Sequence, residues 1–510
     1  MAKTALISVY NKQGIVEFAK RLSKLGTRII STGNTAKLLK ESKIDVTLVS
    51  EITKFPEMLD GRLKSLHPNI FAGILADKKN KRHVKELKKS EIGEIDIVVV
   101  NFYPFEDTIN KNAKLKDVIE NIDIGGPSLV RAAAKNFENV LVVVDPKDYD
   151  ELIEKIKNKK IDNKFRARLA EKAFLHTARY DTIIGRYFVE NIVHDNFPEI
   201  YNFTFKKMQN LRYGENPDQK ASFYKSFMVN ETCVSTAKQL QGKELSYNNI
   251  LDANDAFELV KDFDEPTAAV IKHTNPSGVA SSDKIEDAYR KAYETDSKSA
   301  FGGVVALNRP LNLAIAKMIK PVFLEVIICP KFEKSALDIL NEKTNLRLLE
   351  TGPIIKNYKS SDLRRVVGGL LVQTRQQPSI KEKQLKVVTK SKPTKEEIKA
   401  MIFAWKVNKH VKSNSIVFAK DNVTVGIGAG QMSRVDSVKL AVMKSEGKAQ
   451  GAVMSSDAFF PFKDGIEEAA KAGIAAVIQP GGSIKDNEVI AAANEHKMAM
   501  VFTGIRLFKH

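Results

Sequence analysis

The stretch AVIKHTNPSGVA, Ala269 to Ala280, ends an apolar run at a lysine and a histidine that stand side by side. Thr267 to Ile271 reads as a short buried strand, and Asn275, Pro276, Ser277 and Gly278 read as the turn that follows it. Open α/β sheets carry their chemistry where strands end before such turns. An imidazole exchanges protons near neutrality, so His273 suits a general base, and Lys272 can stabilise the anion that His273 helps to create. The same pair also fits a histidine satisfied in a turn beside a solvated lysine, and the rest of the chain must decide.

Outward from this stretch the chain repeats a pattern. AAVIK (268–272) is followed by a helical DAYRKAYETD (287–296), then SAFGGVVALN (299–308), helical LAIAKMI (313–319) and LEVIICP (324–330). Later, NSIVFAK (414–420) and VTVGIGAGQ (423–431) precede a helical SVKLAVMKS (437–445), then GAVMSSDAFFPF (451–462), helical IEEAAKAG (466–473) and AAVIQPGG (475–482). The shared order of strands and helices predicts two related α/β lobes. Lys-rich, apolar-poor residues 376–395 read as a connector between them.

The amino-terminal part has its own logic. TALISVY (4–10) is a strand, Asn11 is placed to cap a helix carrying Ile15, Ala19 and Leu22 on one face, and further strands are expected at Val46–Val49, Ile97–Val100 and Val140–Val144. Short apolar strands alternating with helices predict a doubly wound parallel sheet. Ser31 to Thr35, STGNT, joins a strand to a helix and suits either a phosphate held by backbone N–H groups or an ordinary capped turn. Three polar segments lie where strands or loops end: GRLKSLHP (61–68), NFYPF (101–105) and IDIGGP (122–127). The last runs into a helix with Pro127 in its first turn and Arg131 and Lys135 one turn apart. A long helix from Asn163 to about Val193 closes this part, and Asp195 to Phe205 is the expected boundary.

The 510 residues suggest about three domains or lobes. Two widely spaced cysteines, Cys233 and Cys329, exclude a disulfide framework, and the lack of a leader pattern or of about 18 successive apolar residues leads to the expectation of a cytoplasmic protein with no membrane partner. The net charge of +19 raises nucleic-acid binding, but the lysines are spread along the chain with no finger or aromatic RNA motif. Basic charge also steers small anions. There is no G-x-x-x-x-G-K-[ST] loop, no H-E-x-x-H and no H-x-E with P-C-x-x-C, and Gly426-Ile-Gly-Ala-Gly430 has Gln431 where a dinucleotide fingerprint needs glycine. The chemistry is expected to need no catalytic metal.

Taken jointly, SVYNKQG, GRLKSLHP, IDIGGPSLVRAAAKN, LRYGENPDQ, IKHTNPSG, SNSIVFAK, GIGAGQMSR, SSDAFFPF and RLFKH resemble, in order and over essentially the whole chain, the bifunctional purine-biosynthesis family that combines phosphoribosylaminoimidazolecarboxamide formyltransferase with inosine monophosphate cyclohydrolase. The resemblance implies a methylglyoxal-synthase-like α/β domain over residues 1–200 that closes the purine ring. For residues 201–510 it implies two cytidine-deaminase-like α/β lobes that transfer a formyl group from 10-formyltetrahydrofolate without zinc. It implies His273 as general base, Lys272 as its partner and Asn414 as an amide that holds the transition state. Substrate-pocket positions are implied at Arg212, Tyr213, Phe301, Gly302, Glu325, Arg434, Phe459, Asp464 and Arg506. For ring closure it implies Lys64, Tyr103, Asp123 and Lys135, with Ser8, Lys12, Ser31, Gly33 and Arg62 in the nucleotide-binding loops. Tyr10 stands where many members have serine, and Asn34 replaces a glycine. The implied partners are a purine ribotide, a folate and a second copy of the chain in a homodimer.

Overall fold

The computed structural model describes residues 3–111, 113–227, 229–377 and 380–510, apart from the Asp60 side chain. The chain divides into two compact units, Met1–Thr204 and Phe205–His510.

The first unit is built on five parallel strands, β1 (Thr4–Val9), β2 (Arg28–Ser31), β3 (Thr47–Leu48), β4 (Ile97–Asn101) and β5 (Leu141–Val143), in the order β3-β2-β1-β4-β5. Helices cover both faces, so Leu6, Ile7, Val98, Val99 and Val142 are all buried and the strands are apolar on both sides. The order turns back between β1 and β4, which opens a crevice at their carboxyl ends.

Local chemistry moves several expected boundaries. Asn11 does not cap: its Oδ1 accepts from Gln13 N–H at 2.9 Å, and the helix Ile15–Lys24 starts after Gly14. The strand expected at Val46–Val49 shrinks to Thr47–Leu48 because Val49 opens a short helix whose Glu51 accepts the Leu48 N–H at 3.3 Å. The long helix ends at Phe188 and continues as a wider turn over Val189–Val193.

The second unit holds a hairpin of β6 (Phe205–Leu211) and β7 (Ala221–Ser226), the strands β8 (Lys238–Gln241), β9 (Thr267–Lys272), β10 (Asn275–Ser281), β11 (Gly303–Leu307), β12 (Leu324–Cys329) and β13 (Arg347–Glu350), and a second hairpin of β14 (Ser361–Val366) and β15 (Gly369–Thr374). Then come β16 (Lys386–Val387), β17 (Ile416–Lys420), β18 (Val423–Gly428), β19 (Val453–Ser456), β20 (Ala476–Gln479) and β21 (Ala499–Phe502). Twelve of these form one sheet, β16-β21-β20-β19-β17-β18-β10-β9-β11-β12-β13-β8. The run β10-β9-β11-β12-β13 and the run β18-β17-β19-β20-β21 have the same order and the same mix of antiparallel and parallel pairings.

The repeat is longer than its apolar pattern shows. Each half starts one helix earlier, at Tyr247–Lys261 and Lys395–Asn408, and each of these helices opens with a reciprocal cap, Ser246 with Asn249 and Thr394 with Glu397. Both pack into one buried cluster, with Phe257 and Val260 from the first and Met401 and Ala404 from the second. The expected connector at 376–395 also builds structure, because β16 pairs with β21 and becomes the edge of the sheet; Pro378 and Ser379 lie outside the described residues.

One reading changes outright. Asn275 to Gly278 are not a turn but the start of β10, and the turn is His273–Thr274, with φ of 50° and 62°. Pro276 sits beside a register shift, where a strand tolerates proline. Gly278 serves close packing: a Cβ there would fall 1.9 Å from the Ala292 carbonyl oxygen, as one at Gly428 would fall 1.9 Å from that of Ser437. Gly426 and Gly428 of GIGAG thus bring a strand against a helix.

The two halves of the sheet join where β10 runs antiparallel to β18. At this seam the buried Thr424 hydroxyl accepts the Val279 N–H at 2.9 Å, while Thr295 donates to the Thr424 carbonyl at 2.8 Å. Thr424→Val keeps the shape but leaves the Val279 N–H unpaired, so a loss of about 1–3 kcal/mol in unfolding free energy is expected. Urea denaturation measures it, and an unchanged midpoint would show that the seam does not depend on this hydroxyl.

Candidate active sites

In the first unit the carboxyl ends of β1 and β4 meet the loops after β2 and before the helix Gly125–Lys135. Lys64 Nζ donates to Tyr103 Oη at 3.3 Å and lies 3.7 Å from Glu57. Asp123 stands at the entrance of that helix, where its Oδ1 accepts the Gly126 N–H at 2.8 Å, and the Tyr180 hydroxyl accepts the Asp123 N–H at 2.8 Å. Burial pushes the Asp123 carboxyl above the usual carboxylate range, against N–H groups of Gly126, Tyr103 and Gly125 and the charge of Lys64. Only glycine fits at 126, since a Cβ would fall 2.4 Å from Asp123 Oδ2.

Lys12 donates to the Val9 carbonyl and to Thr35 Oγ1, and burial with the nearby Lys64 charge lowers its pKa. Gly33, with φ of 52°, opens the helix Gly33–Glu41 within reach of Lys64. Ser8 is half-buried near the end of β1, whereas Ser31 is buried and donates to the Ile7 carbonyl at 2.6 Å. Arg62 pairs with Glu120. Tyr10 and Tyr103 meet edge to face at 5.9 Å, and the N–H groups of Tyr10 and Asn11 share Asn101 Oδ1. Lys135 stands apart: it is exposed at the far end of an eleven-residue helix, about 15 Å along its axis, and bonds to no described residue.

His176 is a site neighbour that the sequence pattern missed. It stacks under Phe102 at 4.4 Å, and burial pulls its pKa down to about 4, so a neutral ring backs the residue before Tyr103.

In the second unit the β9–β10 turn carries the pair singled out in the sequence. Lys272 Nζ donates to the carbonyls of Phe301 (3.0 Å) and Gly302 (3.1 Å). A cavity of about 220 Å³ beside it is lined by Asn275, Ser277, Asp296, Ser299 and Lys444. Asn275 ties this turn to the segment before β17, because its Oδ1 accepts the Lys412 N–H at 2.9 Å. There Asn414 is fully engaged: Nδ2 donates to the carbonyls of Gln431 and Met432 at 3.0 Å, and Oδ1 accepts from Arg434 at 2.8 Å. Arg434 is itself buried against Asp457, at 3.1 Å, and reaches the Phe459 carbonyl. In this chain Arg434 orients Asn414 rather than pointing outward.

The other expected pocket residues do not bond to these two clusters. Arg212 stacks on Tyr213, Glu325 pairs with Arg347 at 2.7 Å, Asp464 Oδ1 accepts the Gly465 N–H, and Arg506 lies over Phe508. Two carboxylates that do shape the site, Asp252 and Asp457, were not singled out. Asp252 and Asp255 are two acids three residues apart on the helix before β9, whose Ala253, Ala256, Phe257 and Val260 are buried, and that spacing is a readable signal. Among the described residues no group of three or more His, Cys, Asp or Glu side chains is placed to hold a metal ion.

The environment of Asp123 has a measurable consequence. A carboxyl whose folded pKa is raised contributes stability that is fully present below its unfolded value, about 3.9, and is lost as the pH rises through the folded value. Asp123→Asn keeps an oxygen for the Gly126 N–H but does not titrate. It should therefore gain on the parent between pH 4 and pH 7 in urea midpoint, and a relative loss over that interval would contradict the burial argument.

Comparison with known proteins agrees with both units. The family described as AICARFT/IMPCHase bienzyme matches residues 133–444, and the MGS-like domain matches residues 14–128. The chain is 52% identical over 514 residues to the bifunctional purine biosynthesis protein PurH of Acetivibrio thermocellus and 53% identical over 517 residues to that of Thermoanaerobacter sp. (strain X514), with 100% of both chains covered in each case. The match over residues 133–444, with relatives about half identical over the full length, places this chain, with its five-stranded parallel sheet followed by a twelve-stranded sheet that carries Lys272 and His273 at a central turn, in the AICARFT/IMPCHase bienzyme family.

Proposed function

We propose that the two reactions of the family are divided between the units, with ring closure at Lys64, Tyr103 and Asp123 and formyl transfer at the Lys272–His273 turn. The protein transfers a formyl group from 10-formyltetrahydrofolate to 5-aminoimidazole-4-carboxamide ribotide and cyclises the product to inosine monophosphate with loss of water. The observation that carries the division is the turn itself, which holds a lysine and a histidine where the Asn414 segment is tied alongside.

The amine of the ribotide is conjugated to a carboxamide and is a weak nucleophile. As its nitrogen bonds to the formyl carbon, His273 takes its proton and Lys272 offsets the charge on the formyl oxygen; the bond to N10 of the folate then breaks and that proton passes to N10, giving tetrahydrofolate. In ring closure the carboxamide nitrogen attacks the new formyl carbon and water leaves. Lys64 and Asp123 hold the charges of that step with Tyr103 between them; Lys135, exposed at the far end of the helix that Asp123 enters, is not brought to this cluster. Ser8, Lys12, Gly33 and Arg62 hold the nucleotide there. Arg212, Tyr213, Phe301, Gly302, Glu325, Phe459, Asp464 and Arg506 line the transferase substrates. Each half of the large sheet is read as a cytidine-deaminase-like lobe, supported by its antiparallel hairpin followed by parallel strands.

The protein works in the cytoplasm, which suits its free Cys233 and Cys329, and pairs as a homodimer. Exposed apolar side chains on β15, Leu370 and Leu371, with Val367 in the turn before it, support a covered hairpin. Sedimentation should show a dimer that loses formyl transfer when diluted to monomer, and a fully active monomer would end that reading.

Purified protein given the ribotide and 10-formyltetrahydrofolate should form tetrahydrofolate and inosine monophosphate. His273→Ala should lower formyl transfer by about 10²–10⁴ while leaving closure of supplied formylated intermediate intact. Transfer within tenfold of the parent would return His273 to a structural role.

A further inference from the structure

His273 and Thr274 form a two-residue hairpin turn with φ of 50° and 62°. Such a turn needs two residues in the left-handed region, and Asn-Gly or Asp-Gly are the usual occupants. Neither histidine nor a β-branched threonine rests there easily, and each such residue loses roughly a factor of five to thirty in population.

The matching turn in the other half of the sheet shows what the fold uses when no chemistry is at stake. Between β17 and β18 stand Asp421 and Asn422, with φ of 49° and 59°. These are residue types that tolerate the left-handed region, and no carboxylate from another element clamps them among the described residues.

The His273–Thr274 turn, by contrast, is clamped. Asp252, on the helix Tyr247–Lys261, accepts the Thr274 N–H through Oδ1 at 2.7 Å, and the His273 backbone is a second donor to the same carboxylate. Asn275 closes the other side by donating to the His273 carbonyl at 3.2 Å. The carboxylate is partly buried, and burial raises its pKa against these N–H bonds. A partly buried carboxylate spent on two backbone amides of an unfavourable turn, where the matching turn has no such clamp among the described residues, fits a residue kept for geometry.

We infer that Asp252 is a positioning residue for formyl transfer: its carboxylate holds the His273–Thr274 turn in the left-handed conformation from which the imidazole reaches the substrate amine. This rests on His273 being the base. The carboxylate holds the turn through its backbone N–H groups and also faces the His273 ring electrostatically, so its removal should misplace the ring without removing it.

Asp252→Ala should lower the kcat of formyl transfer about 100-fold, the order of effect of a 1 Å misplacement, with a KM for the ribotide changed far less and ring closure at the parental rate. The decisive variant adds Thr274→Gly to Asp252→Ala. Glycine enters the left-handed region without penalty, so the pair should recover about tenfold of the lost rate. A purely structural loss would not be restored by a glycine in the turn. Asp252→Asn, which keeps an oxygen for the Thr274 N–H, should fall between parent and Asp252→Ala and covers the case in which the alanine variant fails to fold. Parental kcat in Asp252→Ala, or a loss that Thr274→Gly does not relieve, overturns the inference while His273→Ala remains inactive. An active His273→Ala overturns the base assignment, and this inference with it.

Discussion

The antiparallel contact between β10 and β18 is the constraint on which the second unit depends. It makes one sheet of two similar halves and sets their strands in opposite directions, so the end of one half's first hairpin lies beside the beginning of the other's first strand. The His273 turn and the Ser413–Asn414 segment therefore share one edge of the sheet, linked by Asn275 and Lys412. Neither half alone places a lysine, a histidine and an asparagine together. The seam is paired at Ala280 and Val423, and beside that pair the Thr424 hydroxyl bonds both the N–H and the carbonyl of Val279.

Buried charge reinforces this arrangement from behind. Asp262, just past the helix Tyr247–Lys261, accepts from Lys409, His410 and Tyr358 at 2.7–2.9 Å, and so fastens the ends of the two equivalent helices. Burial works against its charge, but His410 and Lys409 hold the carboxyl well below the usual carboxylate range. Lys509 adds a stitch: its Nζ donates to Asp255 and to the His410 carbonyl, and its own carbonyl accepts the Ser413 N–H. Buried ion pairs add little net stability compared with apolar packing, and their best-attested use is to specify geometry. Here they specify the path of the chain into Asn414.

The first unit reaches its chemistry by a different route. Its parallel sheet needs no seam; the reversal of strand order at β1 and β4 opens the crevice, and a helix entrance delivers Asp123 to it. The buried Phe102 ring and the neutral His176 ring against it shield the floor under the polar groups from water, which strengthens their mutual electrostatics. The basic character of the whole chain suits the family's two reactions, which act on a phosphate-bearing ribotide.

What the amino-acid sequence determined by itself were the features that depend on near neighbours. The apolar run at Ile97–Val100 reads as a strand buried on both faces, the repeated order of strands and helices reads as two related halves, and Lys272–His273 reads as a candidate base and cation. What only the tertiary structure decided were the features made by distant partners. The turn lies at His273–Thr274 and not at Asn275–Gly278, because Pro276 and Gly278 answer to a register shift and to the Ala292 carbonyl rather than to turn geometry. The resemblance implies Arg434 as a substrate-pocket position, and in the structure its guanidinium is spent on Asp457 and Asn414. The Asp252 clamp spans 22 residues and the Val279–Thr424 seam 145, and periodicity holds no trace of a contact whose two ends meet only after helices and strands have packed.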